Sequence, residues 1–297
     1  MSKAISGIIA PITTPFSDDE VNLEFLKENI NKYSQTNLSG YLILGSNGEN
    51  SCLNDVERHL IIQTIVNAKS STQKAIVGIS SDSTRVSIER TNQAADLGAD
   101  YVSLLTPYYF KSRLSNEALI NYFVDVAEKS KLPVFIYNAP KFTGITLSIK
   151  VIEEISMHPN IIGMKDASPG SYMQYIGVCK PDFKIFAGSL DTLFPALILG
   201  AVGGVVSLAN AFPVQCCRLY DLVLHGDTTE AKGLYMKLLQ LNRSVSGSYS
   251  VAGVKYSMDI AGYHGGQPRL PLLPLTPDEK ASIEKAIKQS KIFPQTN

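Results

Sequence analysis

Short, almost continuously apolar runs alternate along the chain with longer stretches in which apolar residues recur at helical spacing. The apolar runs fall at 6–12, 40–44, 75–79, 101–105, 133–137, 161–165, 184–187 and 203–207, with Tyr41-Leu42-Ile43-Leu44 and Val134-Phe135-Ile136-Tyr137 among them. Strands that read this way are covered on both faces, as in a parallel sheet. Helical patterns follow at 22–34, 54–68, 83–97, 115–129, 148–156, 171–178, 192–199 and 213–224. Leu23, Leu26 and Ile30 share one face of the first, Asn54 and Glu57 form a capping box at the second, and Gly98 stands at the C′ position of the third. Eight strand–helix units predict an α/β fold, a TIM (β/α)8 barrel rather than an open doubly wound sheet.

Three more helical stretches, 228–241, 251–260 and 277–288, follow the eighth unit, with a Gly/Pro-rich connector at 262–275. The predicted organisation is a barrel over residues 1–227 and a C-terminal helical extension over 228–297, packed on the barrel. A length of 297 residues suits one barrel of about 250 residues plus an addition.

Charge narrows the partners. The 27 basic residues equal the 27 acidic ones, so no field favours nucleic acid or an anionic membrane. No apolar run is long enough to span a bilayer, and the N-terminus lacks the apolar core of a signal peptide, which predicts a cytoplasmic protein. Cys52, Cys179, Cys216 and Cys217 lack zinc-ligand spacing and read as free thiols in a reducing compartment. His59, His158, His225 and His264 end no predicted strand, and no His and carboxylate cluster has metal-ligand spacing.

Barrel enzymes carry their chemistry at the C-terminal ends of the strands. The sixth run ends at Lys165. Enclosing an amine disfavours its charged form, and a neutral amine is what imine formation requires. Reaching solvent at the rim, or pairing with Asp166, would be the structural use of the same residue. The fifth run ends at Tyr137, on a strand next to that of Lys165, where a phenol can shuttle protons. The second run leads into Gly45-Ser46-Asn47-Gly48-Glu49, a strand-to-helix loop whose backbone N–H groups and polar side chains suit a carboxylate. After the fourth run, Tyr109 is placed either in a proton relay to Tyr137 or in rim packing. Gly188 and Val205 offer backbone contacts to a substrate, and Asp191 either holds a substrate hydroxyl or caps the helix that follows.

Taken together these segments resemble the dihydrodipicolinate synthase / N-acetylneuraminate lyase family of pyruvate-dependent class I aldolases. The matching pieces are Gly45-Ser46-Asn47-Gly48-Glu49, Thr106-Pro107-Tyr108-Tyr109, Tyr137-Asn138-Ala139-Pro140, Ile162-Gly163-Met164-Lys165-Asp166, Gly200-Ala201-Val202-Gly203-Gly204 and Gly265-Gly266-Gln267-Pro268-Arg269, in the family's order over nearly the whole chain. The resemblance implies that Lys165 is the Schiff-base lysine and Tyr137 the proton-shuttling phenol. It implies that Ser46 and Asn47 bind the keto-acid carboxylate, with no cofactor beyond the lysine imine. Tyr109 matches a tyrosine that reaches across a tight dimer interface in the synthases, and the family's usual state implies a homotetramer, a dimer of dimers.

Within the family the motifs are closest to 4-hydroxy-2-oxoglutarate aldolases, through Ser46-Asn47, the segment His158-Pro159-Asn160-Ile161-Ile162-Gly163-Met164-Lys165-Asp166, and Leu208-Ala209-Asn210. Ala167 replaces the hydroxyl residue expected two positions after the lysine. The synthases carry an arginine two residues after the proline of the tyrosine motif, where Phe142 stands here and supplies no bidentate donor. They also favour two threonines where this chain has Ser46-Asn47. N-acetylneuraminate lyases have two acidic residues after the strand-seven glycine, and only Asp191 matches, with Leu190 in the other place. The expected activity is therefore reversible cleavage of a 4-hydroxy-2-oxo acid, such as 4-hydroxy-2-oxoglutarate or a 2-keto-3-deoxy sugar acid, to pyruvate and an aldehyde. Dihydrodipicolinate synthesis from pyruvate and aspartate semialdehyde is the alternative, followed by N-acetylneuraminate cleavage. A non-catalytic keto-acid-binding barrel is disfavoured by the presence of both Lys165 and Tyr137. A phosphate- or flavin-binding barrel is disfavoured because no glycine-rich phosphate loop follows the seventh run.

Overall fold

Strands apolar on both faces need cover on both, and the chain provides it by closing eight parallel strands into a barrel. A computed structural model describes residues 5–168, 170 and 172–292. The barrel strands are Gly7–Pro11, Gly40–Ile43, Lys74–Ile79, Tyr101–Leu105, Val134–Asn138, Ile161–Asp166, Lys184–Ala187 and Gly203–Val205, each paired to the next and the last to the first. These are the eight expected strands, with ends moved by up to two residues. The predicted helix at 171–178 occupies Tyr172–Ile176, and its first residue, Ser171, lies outside the described residues, as do 1–4 and 293–297 of the two termini.

The outer helices start where the sequence places polar caps. The Asn22 side chain accepts from the Phe25 N–H, and the capping box between Asn54 and Glu57 is present. The seventh helix, Leu190–Ile198, differs from expectation. It begins two residues early because Ser189, not Asp191, is its cap. A two-stranded hairpin, Phe16–Ser17 with Glu20–Val21, and a helical turn at Pro140–Thr143 were not expected. Both are too short to carry a period.

Side chains alternate along each strand between two hydrophobic clusters. One lies between strands and helices. The other fills the barrel, with Ile9, Leu42, Ile76, Tyr101, Phe135, Phe186 and Val205. Phe135 meets Tyr101 and Phe186 edge-on, with centroids 5.6 and 5.7 Å apart. Gly163 makes room for this floor, since a Cβ there would lie 2.8 Å from Phe135 Cε1 and 2.3 Å from the Lys184 carbonyl oxygen. The helical extension comprises Thr228–Asn242, a π-helical segment Arg243–Gly247, Ser248–Ile260 and Pro277–Ser290. Ser250 interrupts the third of these with φ 51° and ψ −138°. No helix among the described residues is long and apolar enough to cross a membrane. The four cysteines are unbridged, and burial pushes the Cys179 thiol up to about 11 and Cys217 to about 12.

Candidate active site

Parallel-strand register decides which side chains share a face. Tyr137 pairs with Lys165, and Lys165 with Phe186. All three therefore project into the barrel, above the aromatic floor. Lys165 is 6% exposed, its stem passing Ile9, Leu42, Phe135 and Phe186, and its Nζ stands 4.1 Å from the centroid of the Tyr137 ring. A buried amine over an electron-rich ring face, at a barrel mouth, is placed for attack on a carbonyl.

The next residues along the two strands face outward and lock the pair together. Asn138 Nδ2 donates to Asp166 Oδ1 at 2.9 Å and to the Tyr175 hydroxyl at 3.2 Å, while its Oδ1 accepts from the Leu147 N–H. Asp166 Oδ1 also accepts from the Ser168 N–H and hydroxyl. Burial raises the Asp166 carboxyl above its ordinary value, against the opposing pull of these bonds.

A cavity of about 230 Å³ at the mouth is lined by Lys165, Tyr137, Ser46, Asn47, Gly188 and Asp191. It meets a second of about 320 Å³ that Ser46, Asn47 and Tyr137 also line, with Leu44, Leu105, Tyr108, Phe142 and Leu272 on its walls. Asn47 is 9% exposed, and its Nδ2 has no hydrogen-bond partner among the described residues. A buried donor without a partner is costly, so a ligand acceptor is its natural complement. The loop is held from below: Thr14 Oγ1 donates to the Gly48 carbonyl at 2.7 Å. Leu44 and Glu49 bracket it with φ of 57° and 53°, a left-handed conformation that costs about 1–3 kcal/mol for a non-glycine residue.

Six of the nine candidate residues thus meet around one cavity. Gly48 does not serve as the expected backbone donor to a ligand, because its N–H already bonds to the Gly45 carbonyl at 3.0 Å. The Gly188 N–H is spent in the same way on the Asp166 carbonyl at 2.7 Å, although Gly188 lines the cavity. Val205 lies below the mouth, against the lysine stem. Tyr109 is 75% exposed, stands edge-on to Phe110, and lines neither cavity, so no relay to Tyr137 forms within the protomer. Ser189 caps the helix in place of Asp191, whose carboxylate lines the cavity with its Oδ2 accepting from the Ser189 hydroxyl at 3.3 Å.

The extension adds residues that strand-end reasoning missed, since Asn242, Ser246, Gly247 and Ser250 line the same mouth. Their only sequence mark was the Ser/Gly-rich break between two helical patterns. Among the described residues no group of three His, Cys, Asp or Glu side chains could hold a metal ion. A larger cavity of about 540 Å³ lies outside the barrel beside Arg58 and Arg90, without either member of the lysine–phenol pair.

Known proteins with this chain's pattern point the same way. It is 31% identical over 287 residues to a 4-hydroxy-tetrahydrodipicolinate synthase of an Exiguobacterium species, covering 96% of this chain and 97% of the relative. It is 32% identical to the enzyme of that name from Methanothrix thermoacetophila, with 95% of each covered. Among solved structures, a dihydrodipicolinate synthase from Acinetobacter baumannii complexed with pyruvate superposes with a TM-score of 0.92 at 29% identity, covering 98% of this chain and 100% of that one. A prophage protein of E. coli K12, described as belonging to the dihydrodipicolinic acid synthase family and solved with pyruvate, gives 0.90 at 29% identity, covering 97% of this chain and 99% of that one. The match to the Dihydrodipicolinate synthetase family runs from residue 4 to residue 290, and with the barrel, the mouth lysine and the adjacent phenol in place, the chain belongs to that family.

Proposed function

We propose that the protein is a Schiff-base aldolase that makes or breaks the C3–C4 bond of a 2-oxo acid, on a barrel of residues 1–227 completed by the extension of residues 228–297. Family membership makes it a pyruvate-dependent carbon–carbon lyase working through a lysine imine. The observation that carries the residue assignment is the buried Lys165 amine, 4.1 Å from the Tyr137 ring, in one cavity with the unpartnered Asn47 amide.

In cleavage, the Lys165 amine adds to C2 of the substrate, and loss of water gives a protonated imine. In that dehydration Tyr137 gives its proton to the departing water, and the resulting phenolate accepts the proton of the C4 hydroxyl as the C3–C4 bonding pair moves into the imine, releasing an aldehyde and leaving an enamine with the phenol restored. Protonation at C3 and hydrolysis then free pyruvate and the amine. Ser46 and Asn47 hold the carboxylate. Condensation runs the same steps backward.

The two readings differ at the aldehyde end. The names of the relatives favour 4-hydroxy-tetrahydrodipicolinate synthase, the alternative expected from the sequence. The lining of the mouth favours cleavage of a 4-hydroxy-2-oxo acid. Phe142 lines both cavities where the synthases have an arginine, and Lys141 and Asp191 lie on the polar side among Ser189, Ser207 and Ser246. That wall offers hydroxyl and mixed-charge partners and no guanidinium. We adopt the cleavage reading and keep the synthase as its rival. Borohydride reduction with pyruvate, followed by mapping of the modified lysine, tests the imine. A coupled pyruvate assay with 4-hydroxy-2-oxoglutarate and 2-keto-3-deoxy acids, against condensation with aspartate semialdehyde, separates the two. Efficient condensation without cleavage would reverse the assignment.

The exposed row of Tyr108, Tyr109 and Phe110 supports a paired assembly in which Tyr109 completes a neighbouring site, within the homotetramer that the resemblance implies. Light scattering of the purified protein tests it.

A further inference from the structure

The loop assigned to the substrate carboxylate carries a negative charge of its own. Glu49 follows Gly48 directly, lines the same cavity as Ser46 and Asn47, and is 3% exposed. Its carboxylate would repel a keto acid if it stood alone. It does not, because Lys255 of the helix Ser248–Ile260 brings its Nζ to 2.5 Å from Glu49 Oε1. The two side chains are 0% and 1% exposed. The second oxygen, Oε2, accepts from the Arg269 backbone N–H at 2.8 Å. Lys255 Nζ is further fixed by the Gln267 carbonyl at 2.9 Å and by the Phe16 ring, 4.5 Å away. The Arg269 guanidinium is occupied elsewhere, by Glu57 and Asp19.

A buried ion pair rarely adds net stability over apolar residues of the same volume, so its retention asks for another use. The cost of removing one partner is the uncompensated charge left behind, and here that charge would sit beside the carboxylate site.

We propose that Lys255 is a positioning residue of the active site: by neutralising Glu49 it lets the Ser46–Gly48 loop accept a substrate carboxylate, which makes the helical extension a working part of that site. This rests on the reading of the loop as the carboxylate site. Burial pushes the Lys255 amine down and Glu49 pushes it back up, as in a pair whose charges depend on each other.

The test uses the full-length protein and borohydride trapping on Lys165, read by mass spectrometry as a function of ligand concentration. The ligands are pyruvate and its uncharged methyl ester. Lys255→Met and Lys255→Gln should raise the half-saturating pyruvate concentration at least about tenfold while moving the ester by less than about threefold. Glu49→Gln combined with Lys255→Met should return pyruvate to within about threefold of the parent, because no net charge remains. A purely structural role would shift both ligands alike, and that result overturns the proposal. So does an unchanged pyruvate response in the lysine variants, or a double variant that is not restored. If both single variants fail to fold while the double folds and binds pyruvate normally, the pair serves the fold alone and the proposal falls. Absence of any adduct in the parent protein sinks the imine reading itself, and this inference with it, a result distinct from all the others.

Discussion

Replacing Tyr137 by Phe removes one oxygen and little else. Tyr137 is 7% exposed and its ring supports the Lys165 amine from 4.1 Å, and Phe keeps the burial and the contact. Among the described residues the hydroxyl has no hydrogen-bond partner, so deleting it strands no buried group. The stability cost should stay within about 0.5 kcal/mol, or roughly 1 °C in Tm for a chain of this size. Catalysis should respond very differently. A positioned proton carrier contributes about 10²–10⁴-fold, equal to about 2.7–5.4 kcal/mol of barrel-mouth chemistry. Pyruvate release from a 4-hydroxy-2-oxo acid, followed through lactate dehydrogenase, should slow by that factor. Borohydride trapping of pyruvate on Lys165 should still go to completion given longer times, because the amine is untouched. A Tyr137→Phe enzyme turning over within threefold of the parent would refute the phenol's role. A large loss of Tm would mean that the hydroxyl serves the fold.

Other perturbations separate the remaining assignments. Asn47→Ala should raise KM for the keto acid roughly 10–150-fold, the value of a hydrogen bond to a charged group, with kcat less affected; an unchanged KM removes Asn47 from the carboxylate site. Phe142→Arg should improve condensation with aspartate semialdehyde at least about tenfold by supplying a bidentate donor, and no gain in that assay would show that the aldehyde end lies elsewhere. Gly163→Ala forces a Cβ to within 2.3 Å of the Lys184 carbonyl oxygen, so unfolding should become easier by about 1–3 kcal/mol, roughly 2–5 °C in Tm by calorimetry. Glu57 is held below the ordinary carboxylate value chiefly by its bond from Arg269. A depressed acid stabilises above its unfolded pKa of about 4.3 and loses that contribution as pH falls. The Tm gap between the parent and Glu57→Gln should therefore be flat near neutrality and close below about pH 4; a gap that persists into acid would contradict the ion pair.

The eight apolar runs determined the barrel, because a strand covered on both faces has few other places to go, and the order of the strands put residues 137 and 165 on neighbours. Polar residues ahead of the helical patterns likewise marked the caps at Asn22 and Asn54. What one dimension withheld was register, reach and neighbours distant in sequence. Only pairing shows that Tyr137 stands level with Lys165 and that Asn138 and Asp166 clasp behind them. Only the folded backbone shows that Gly48 has already spent its N–H, that Ser189 takes over the cap from Asp191, and that Tyr109 lines neither cavity of the mouth. The Glu49–Lys255 pair spans more than 200 residues of chain, and neither side chain breaks any local rule that would have announced it. Periodicity records which face of an element is buried. It does not record which partner, from which distant element, buries it.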